Sequence, residues 1–111
     1  FAEISETVKK GCTPACGDCG GSIKPDITFF GEMLPEKALN DAIREASNAQ
    51  VMLVLGSTLV VYPAASIPMY TVRSGGKLVI VNDMETSLDN QAHLRYSDLS
   101  EVFTFLHTAL K

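Results

Sequence analysis

Val51-Met52-Leu53-Val54-Leu55-Gly56-Ser57-Thr58 is an unbroken apolar run that stops at a turn of small residues, and Lys77-Leu78-Val79-Ile80-Val81-Asn82 repeats the pattern. Continuous apolar runs without polar alternation suit parallel strands covered on both faces. Between them, Ala64 to Ser74 is expected to be helical from near Ile67, because Pro68 is tolerated in a first turn and Gly75-Gly76 supplies a C-terminal stop. Strand, helix, strand is a right-handed crossover unit. The fold class is therefore α/β, with two or three parallel strands.

Working outward, Pro35 suits the first turn of a helix in which Ala38, Leu39, Ala42, Ile43 and Ala46 recur at helical spacing, with Glu36, Lys37, Asn40, Asp41, Arg44 and Glu45 on the other face. A last helix is expected from about Asp98 to Leu110, with Leu99, Val102, Phe103, Leu106 and Leu110 on one stripe and Asp98 with Glu101 as a capping-box variant. Residues 1–11 read as the end of a helix and a turn at Gly11. Residues 12–25 are rich in Cys, Gly and Pro and cannot form a core of their own. Ile27-Thr28-Phe29-Phe30 reads as an extended segment or short strand ended by Gly31. Strands buried on both faces need about two helices per face, and the sequence supplies roughly three in total, so part of the cover is expected from outside the chain.

The 111 residues are 46 % hydrophobic and 20 % charged, ordinary for a globular domain and unlike a disordered tail, a coiled coil or a collagen-like chain. Nine basic against thirteen acidic residues give a net charge of −4, and the longest basic cluster is Lys9-Lys10, which argues against nonspecific nucleic-acid binding. The longest uncharged stretch, Val51 through Val72, is broken by Gly56, Ser57, Thr58, Pro63 and Pro68, so no membrane span is expected. The chain opens on Phe1 with neither a basic nor an apolar leader, so no targeting segment is assigned, and it is expected to begin partway through a longer protein. Cys12, Cys16 and Cys19 lie too close together to staple distant segments, which favours metal binding in a reducing compartment, expected to be the cytoplasm.

Cys16-Gly17-Asp18-Cys19-Gly20-Gly21 is a C-x-x-C knuckle whose glycines let backbone amides turn toward sulfur, as in one half of a tetrahedral zinc site. A redox dithiol and two free thiols are the competing readings. Cys12 is a third ligand or a spare. Gly56-Ser57-Thr58 falls at the C-terminal edge of a parallel sheet, where open α/β folds bind ligands, though a tight turn packed with small residues carries equal weight. Asn82 is either a ligand-facing amide or an ordinary strand terminator. Asp98 reads as a helix cap rather than a ligand. With no G-x-G-x-x-G in the chain, hydride transfer has little support.

Taken together, Cys16-x-x-Cys19-Gly20-Gly21, Ile23-Lys24-Pro25-Asp26-Ile27, Phe29-Phe30-Gly31-Glu32, Leu34-Pro35, Gly56 through Ala65, Gly76 through Asn82 and Thr86-x-Leu88-Asp89 follow the order found in the sirtuins. From Cys16 to the last helix the chain resembles the C-terminal half of a bacterial or archaeal NAD-dependent protein deacylase. The resemblance implies the C-terminal half of a Rossmann-like parallel sheet (35–111) with part of a small zinc-binding lobe and peptide-groove segment (1–34). It implies Cys16 and Cys19 as one zinc pair. For NAD it implies Gly56, Ser57 and Thr58 at the ribose and phosphates, Asn82 at the adenosine ribose, and Asp83 and Leu99 near adenine.

An acetyl-lysine peptide, laid as an extra strand, would meet Phe30, Gly31 and Glu32 on one wall and Val60, Val61 and Tyr62 on the other. Thr28 stands where the family usually has a valine touching the acyl-lysine, a departure that bears on acyl preference. The family's glycine-rich phosphate loop, general-base histidine and first C-x-x-C are expected upstream of this chain. His93 and His107 read as surface or helix-face residues, so the 111 residues alone are expected not to deacylate. The alternatives from other classes are a non-catalytic, self-associating module of the same fold, and an ADP-ribosyl-handling enzyme or oxidoreductase sharing half of it.

Overall fold

The computed structural model describes residues 2–111, and the chain divides into two units, Phe1–Met33 and Leu34–Lys111. In the first unit, helix α1 (Ala2–Lys9) ends where Gly11 takes φ 74°, with the Gly11 amide donating to the Val8 carbonyl (2.9 Å) and the Cys12 amide to that of Thr7 (3.1 Å). That left-handed residue is the expected helix stop. A knuckle follows, with Ala15 bridging Ser22 antiparallel, the Cys16 amide donating to the Gly21 carbonyl (2.8 Å) and the Gly20 amide returning to that of Cys16 (2.9 Å). Among the described residues of this unit no side chain is buried, as the scarcity of apolar residues in 12–25 implies.

Ile27–Phe30 is not a strand. Strand propensity is realised only against a partner, and here the segment is shaped locally instead. The Ile27 amide donates to the Pro25 carbonyl (2.8 Å) and the Glu32 amide to that of Phe29 (3.0 Å). The Glu32 carboxylate accepts from the Phe29 amide (3.1 Å) and from Lys24 Nζ (2.8 Å).

The second unit runs α2 (Glu36–Asn48), β1 (Val51–Leu55), a 3-10 turn (Ala64–Ser66), α3 (Ile67–Arg73), β2 (Lys77–Val81), a 3-10 turn (Asp89–Gln91), β3 (Leu94–Tyr96) and α4 (Leu99–Ala109). Pro35 caps α2 from outside, one position earlier than expected, because its ψ of 118° is extended while its carbonyl already accepts from the Leu39 amide (3.0 Å). The sheet is parallel in the order β1-β2-β3, with Val51 opposite Lys77 and Val79 opposite Leu94. The core gathers Val54, Leu59, Ala65, Leu78 and Ile80, with Met52, Val72, Leu88 and Ala92 packed around it. Fully burying side chains such as Leu78 and Ile80 is worth about 1.5–3 kcal/mol each.

Helix α3 packs on both β1 and β2, and α2 packs on α3. Thr71, wholly buried, donates from Oγ1 to the Ala46 carbonyl (2.6 Å) and so ties α3 to α2. β2 is the central strand, and its Leu78, Ile80 and Val81 are completely buried. Two covered faces were expected for β1 as well. Instead Val51, Leu53 and Leu55 are 58 %, 41 % and 40 % exposed, because β1 is an edge strand among the described residues and nothing there covers its alternate face. The stripe of α4 is similarly half open, with Val102 and Leu106 partly buried and Phe103 exposed.

Candidate functional site

Three parallel strands end at the same edge, and each hands the chain to a short segment that lines one cavity of about 630 Å³. After β1 come Gly56, Ser57 and Thr58; after β2, Asn82, Asp83 and Met84; after β3, Ser97 and Asp98, leading into Leu99 and Ser100 of α4. The carboxyl end of a parallel sheet is where side chains and free amides converge without interrupting the strand ladder. Gly56 sits at φ 62°, which a side chain would strain, and its amide donates to the Val81 carbonyl (2.9 Å), tying the two turns together. The Ser57 hydroxyl accepts from the Leu59 amide (3.2 Å). Asn82 is almost fully buried and donates from its amide to the Met84 carbonyl (2.9 Å). Asp98 is the helix cap the sequence implies, its carboxylate accepting from the Glu101 amide (2.9 Å), and it also faces the cavity.

Gly56, Ser57, Thr58, Asn82, Asp83 and Leu99, assigned to one ligand by resemblance, are thus all brought to one cavity. Met84, Ser97, Asp98 and Ser100 join them, and only Asp98 carried a signal in the sequence, as a cap. A second, smaller cavity of about 160 Å³ is lined by Ser57, Thr58, Leu59, Val60, Val61, Ala64 and Ala65. Tyr62 lies outside it and is 70 % exposed. Thr28, Phe30, Gly31 and Glu32 lie in the first unit, where Phe30 is 95 % exposed and the pull of Lys24 and then of the Phe29 amide holds the Glu32 carboxyl below its ordinary range. Neither histidine lines the cavity: the ring Nδ1 of His93 accepts from the Leu78 amide (3.1 Å), and His107 lies on the outer groove of α4.

A model of the Sir2 family matches residues 1–63, more than half of the chain. The chain belongs to the Sir2 family. A relative from Thermotoga maritima named "NAD-dependent protein deacetylase" is 53 % identical over 95 residues, covering 86 % of this chain and 39 % of the relative. One from Pyrobaculum aerophilum, "NAD-dependent protein deacetylase 1", is 47 % identical over 88 residues, covering 78 % of this chain and 35 % of its own. Among solved structures, one described as "Sir2-p53 peptide-NAD+" aligns with a TM-score of 0.86 at 46 % identity, over 99 % of this chain and 47 % of that one. The sirtuin chain therefore spans less than half the length of the proteins it matches, and its α/β fold is that of the family.

Ser87 and Arg95 of the sirtuin chain bear on the site although the sequence does not single them out. They hold the turns around the cavity through main-chain carbonyls, a role that leaves no residue-type signature. In the knuckle, Cys16 is half-buried and Cys19 exposed, and both thiols are free. The amides of Cys19 and Asp18 pull the Cys16 thiol below its ordinary value, favouring the thiolate that binds metal. Cys16 and Cys19 fit half of a tetrahedral thiolate set, and among the described residues no group of three or more His, Cys, Asp or Glu is disposed to complete it. Cys12 points elsewhere, its thiol 3.8 Å from the Lys10 carbonyl.

Proposed function

We propose that this chain is part of an NAD-dependent protein-lysine deacetylase, with the cavity at the sheet's carboxyl edge as its dinucleotide site. The observation that carries the reading is the convergence of Gly56, Ser57, Thr58, Asn82, Asp83 and Leu99 on that single cavity. Gly56, Ser57 and Thr58 would meet the ribose and phosphates, Asn82 the adenosine ribose, and Asp83 and Leu99 the surroundings of adenine. The substrate read for it is an acetylated peptide, with Thr28, Phe30, Gly31 and Glu32 as the proposed contacts in the first unit and, separately, Val60, Val61 and Tyr62 as those in the second. Phe30 in the first unit and Tyr62 in the second are each exposed, which supports each as a peptide contact in its own unit.

In the reaction, the acetyl oxygen of the substrate bonds to the anomeric carbon of the nicotinamide ribose as the bond to nicotinamide breaks, and nicotinamide departs with that electron pair. A general base then deprotonates a ribose hydroxyl, which bonds to the acetyl carbon; the carbon–nitrogen bond breaks to free the lysine amine, and a water molecule adds to that carbon in its place, leaving the acetyl group on ADP-ribose. The placements of His93 and His107 support a base from outside these 111 residues, so this segment alone should not turn over. Zinc, held by Cys16 and Cys19 with two ligands from elsewhere in the intact protein, would keep the knuckle folded where no apolar core does. The domain reading follows: 1–34 within a small zinc-binding lobe and 35–111 within the NAD-binding half-domain. Cys12, Cys16 and Cys19 lie too close together to staple distant segments, which supports a reducing, cytoplasmic setting. Among the described residues no helix is long and apolar enough to cross a membrane.

The test is Asn82→Ala in the intact protein. Loss of a buried polar group on the cavity wall is expected to weaken NAD about tenfold while leaving the unfolding midpoint within a few degrees. An unchanged dissociation constant would remove the cavity from the dinucleotide site.

A further inference from the structure

We propose that Ser87 and Arg95, neither of which lines the cavity, are positioning residues that set its two walls; the inference rests on reading that cavity as the dinucleotide site. The wall after β1 continues into Leu59, a non-glycine residue at φ 57°. Left-handed backbone is unfavourable for a side chain of this size and persists where the surroundings impose it. Those surroundings are specific. The Leu59 side chain is buried in the core, its amide donates to Ser57 Oγ, and its carbonyl accepts from Ser87 Oγ at 2.6 Å. The Ser87 amide donates to the neighbouring Thr58 carbonyl (3.2 Å), so one residue holds two successive carbonyls of this wall.

The other wall is held from the same bracket. Arg95 donates to the Asn82 carbonyl from Nη1 (2.6 Å) and to the Met84 carbonyl from Nη2 (2.7 Å), and a further bond from Nη1 reaches the Tyr96 carbonyl. Its Nε donates to Asp89 (2.9 Å), whose carboxylate also accepts from the Thr86 hydroxyl (2.6 Å) and amide (3.0 Å). The Thr86 hydroxyl and amide, then Arg95, hold the Asp89 carboxyl below its ordinary range, so the bracket stays ionised in neutral solution. Thr86 precedes Ser87 directly. A planar guanidinium fork thus fixes Asn82–Met84, a hydroxyl fixes Thr58–Leu59, and the Thr86–Asp89 pair joins them.

The experiment titrates ADP-ribose into the intact protein and its Ser87→Ala, Ser87→Thr, Arg95→Lys and Asn82→Ala variants, well below their unfolding temperatures. Ser87→Ala should weaken ADP-ribose roughly fivefold, the effect of one net hydrogen bond. Ser87→Thr, which keeps the hydroxyl, should recover wild-type affinity to within about twofold, a rescue that a merely structural role would not produce. Arg95→Lys keeps the charge beside Asp89 but not the fork, and should also weaken binding about fivefold. Wild-type affinity in Ser87→Ala or Arg95→Lys alongside a weakened Asn82→Ala would overturn the positioning role and leave the cavity reading standing. Failure of Ser87→Thr to rescue would overturn it too. Wild-type affinity in Asn82→Ala as well would remove the dinucleotide site and the inference with it.

Discussion

Gly76→Ala is expected to destabilise the intact protein by about 3 kcal/mol, read as a lowered urea midpoint at unchanged slope. The cause is a close approach rather than an unusual backbone angle. An added Cβ at position 76 would sit 2.5 Å from the Ala49 carbonyl oxygen and 2.5 Å from Thr71 Cγ2. Neither neighbour can yield. Ala49 is the residue that ends α2, and Thr71 is fully buried with its hydroxyl committed to Ala46 and its carbonyl accepting from the Gly76 amide (2.9 Å). The adjacent Gly75→Ala is the control. Gly75 is at φ 87° with open space around it, so only the left-handed cost of about 1 kcal/mol applies. Equal losses in the two variants would mean that the packing of α2 against α3 is looser than described.

Cys16→Ala in the intact protein is expected to abolish stoichiometric zinc, measured on protein purified without added metal. Outer-shell partners of a metal site already cost 10–100-fold in affinity when removed, so deleting a direct ligand from a four-ligand set should cost at least about 100-fold. Loss of metal should also loosen residues 12–25, since no buried side chain holds that unit together among its described residues. Cys12→Ala should leave the metal content unchanged, because the Cys12 thiol is directed to the Lys10 carbonyl, 3.8 Å away. Full zinc occupancy in Cys16→Ala, or its loss in Cys12→Ala, would reassign the ligand set.

How far the sequence is legible differs from element to element, for physical reasons. The crossover from β1 through α3 to β2 could be read because unbroken apolar runs and the Pro68 and Gly75 punctuation are local signals that tertiary packing did not override. Ile27–Phe30 has equally strong strand composition but no strand beside it among the described residues, so it stays unpaired, with a turn beginning at Phe30. β3 was invisible for the opposite reason. It is three residues long with a charged residue, Arg95, at its centre, and that side chain is turned onto the carbonyls of the Asn82 segment. At the cavity, small residues after a strand gave a position but not a chemistry. Only the ordered set of motifs, matched to a family, assigned roles to Gly56, Ser57, Thr58 and Asn82. Ser87 and Arg95 escaped both readings, since what they hold is main chain.

The intact protein is proposed to couple NAD cleavage to removal of an acetyl group from lysine. The most direct measurement incubates it with an acetyl-lysine peptide, with and without NAD, and quantifies the products by mass spectrometry. Nicotinamide, deacetylated peptide and acetylated ADP-ribose are expected in equal amounts, with no product when NAD is left out. Deacetylation that proceeds without NAD, or NAD and peptide both unchanged after incubation with the zinc-loaded intact protein, would contradict this coupling.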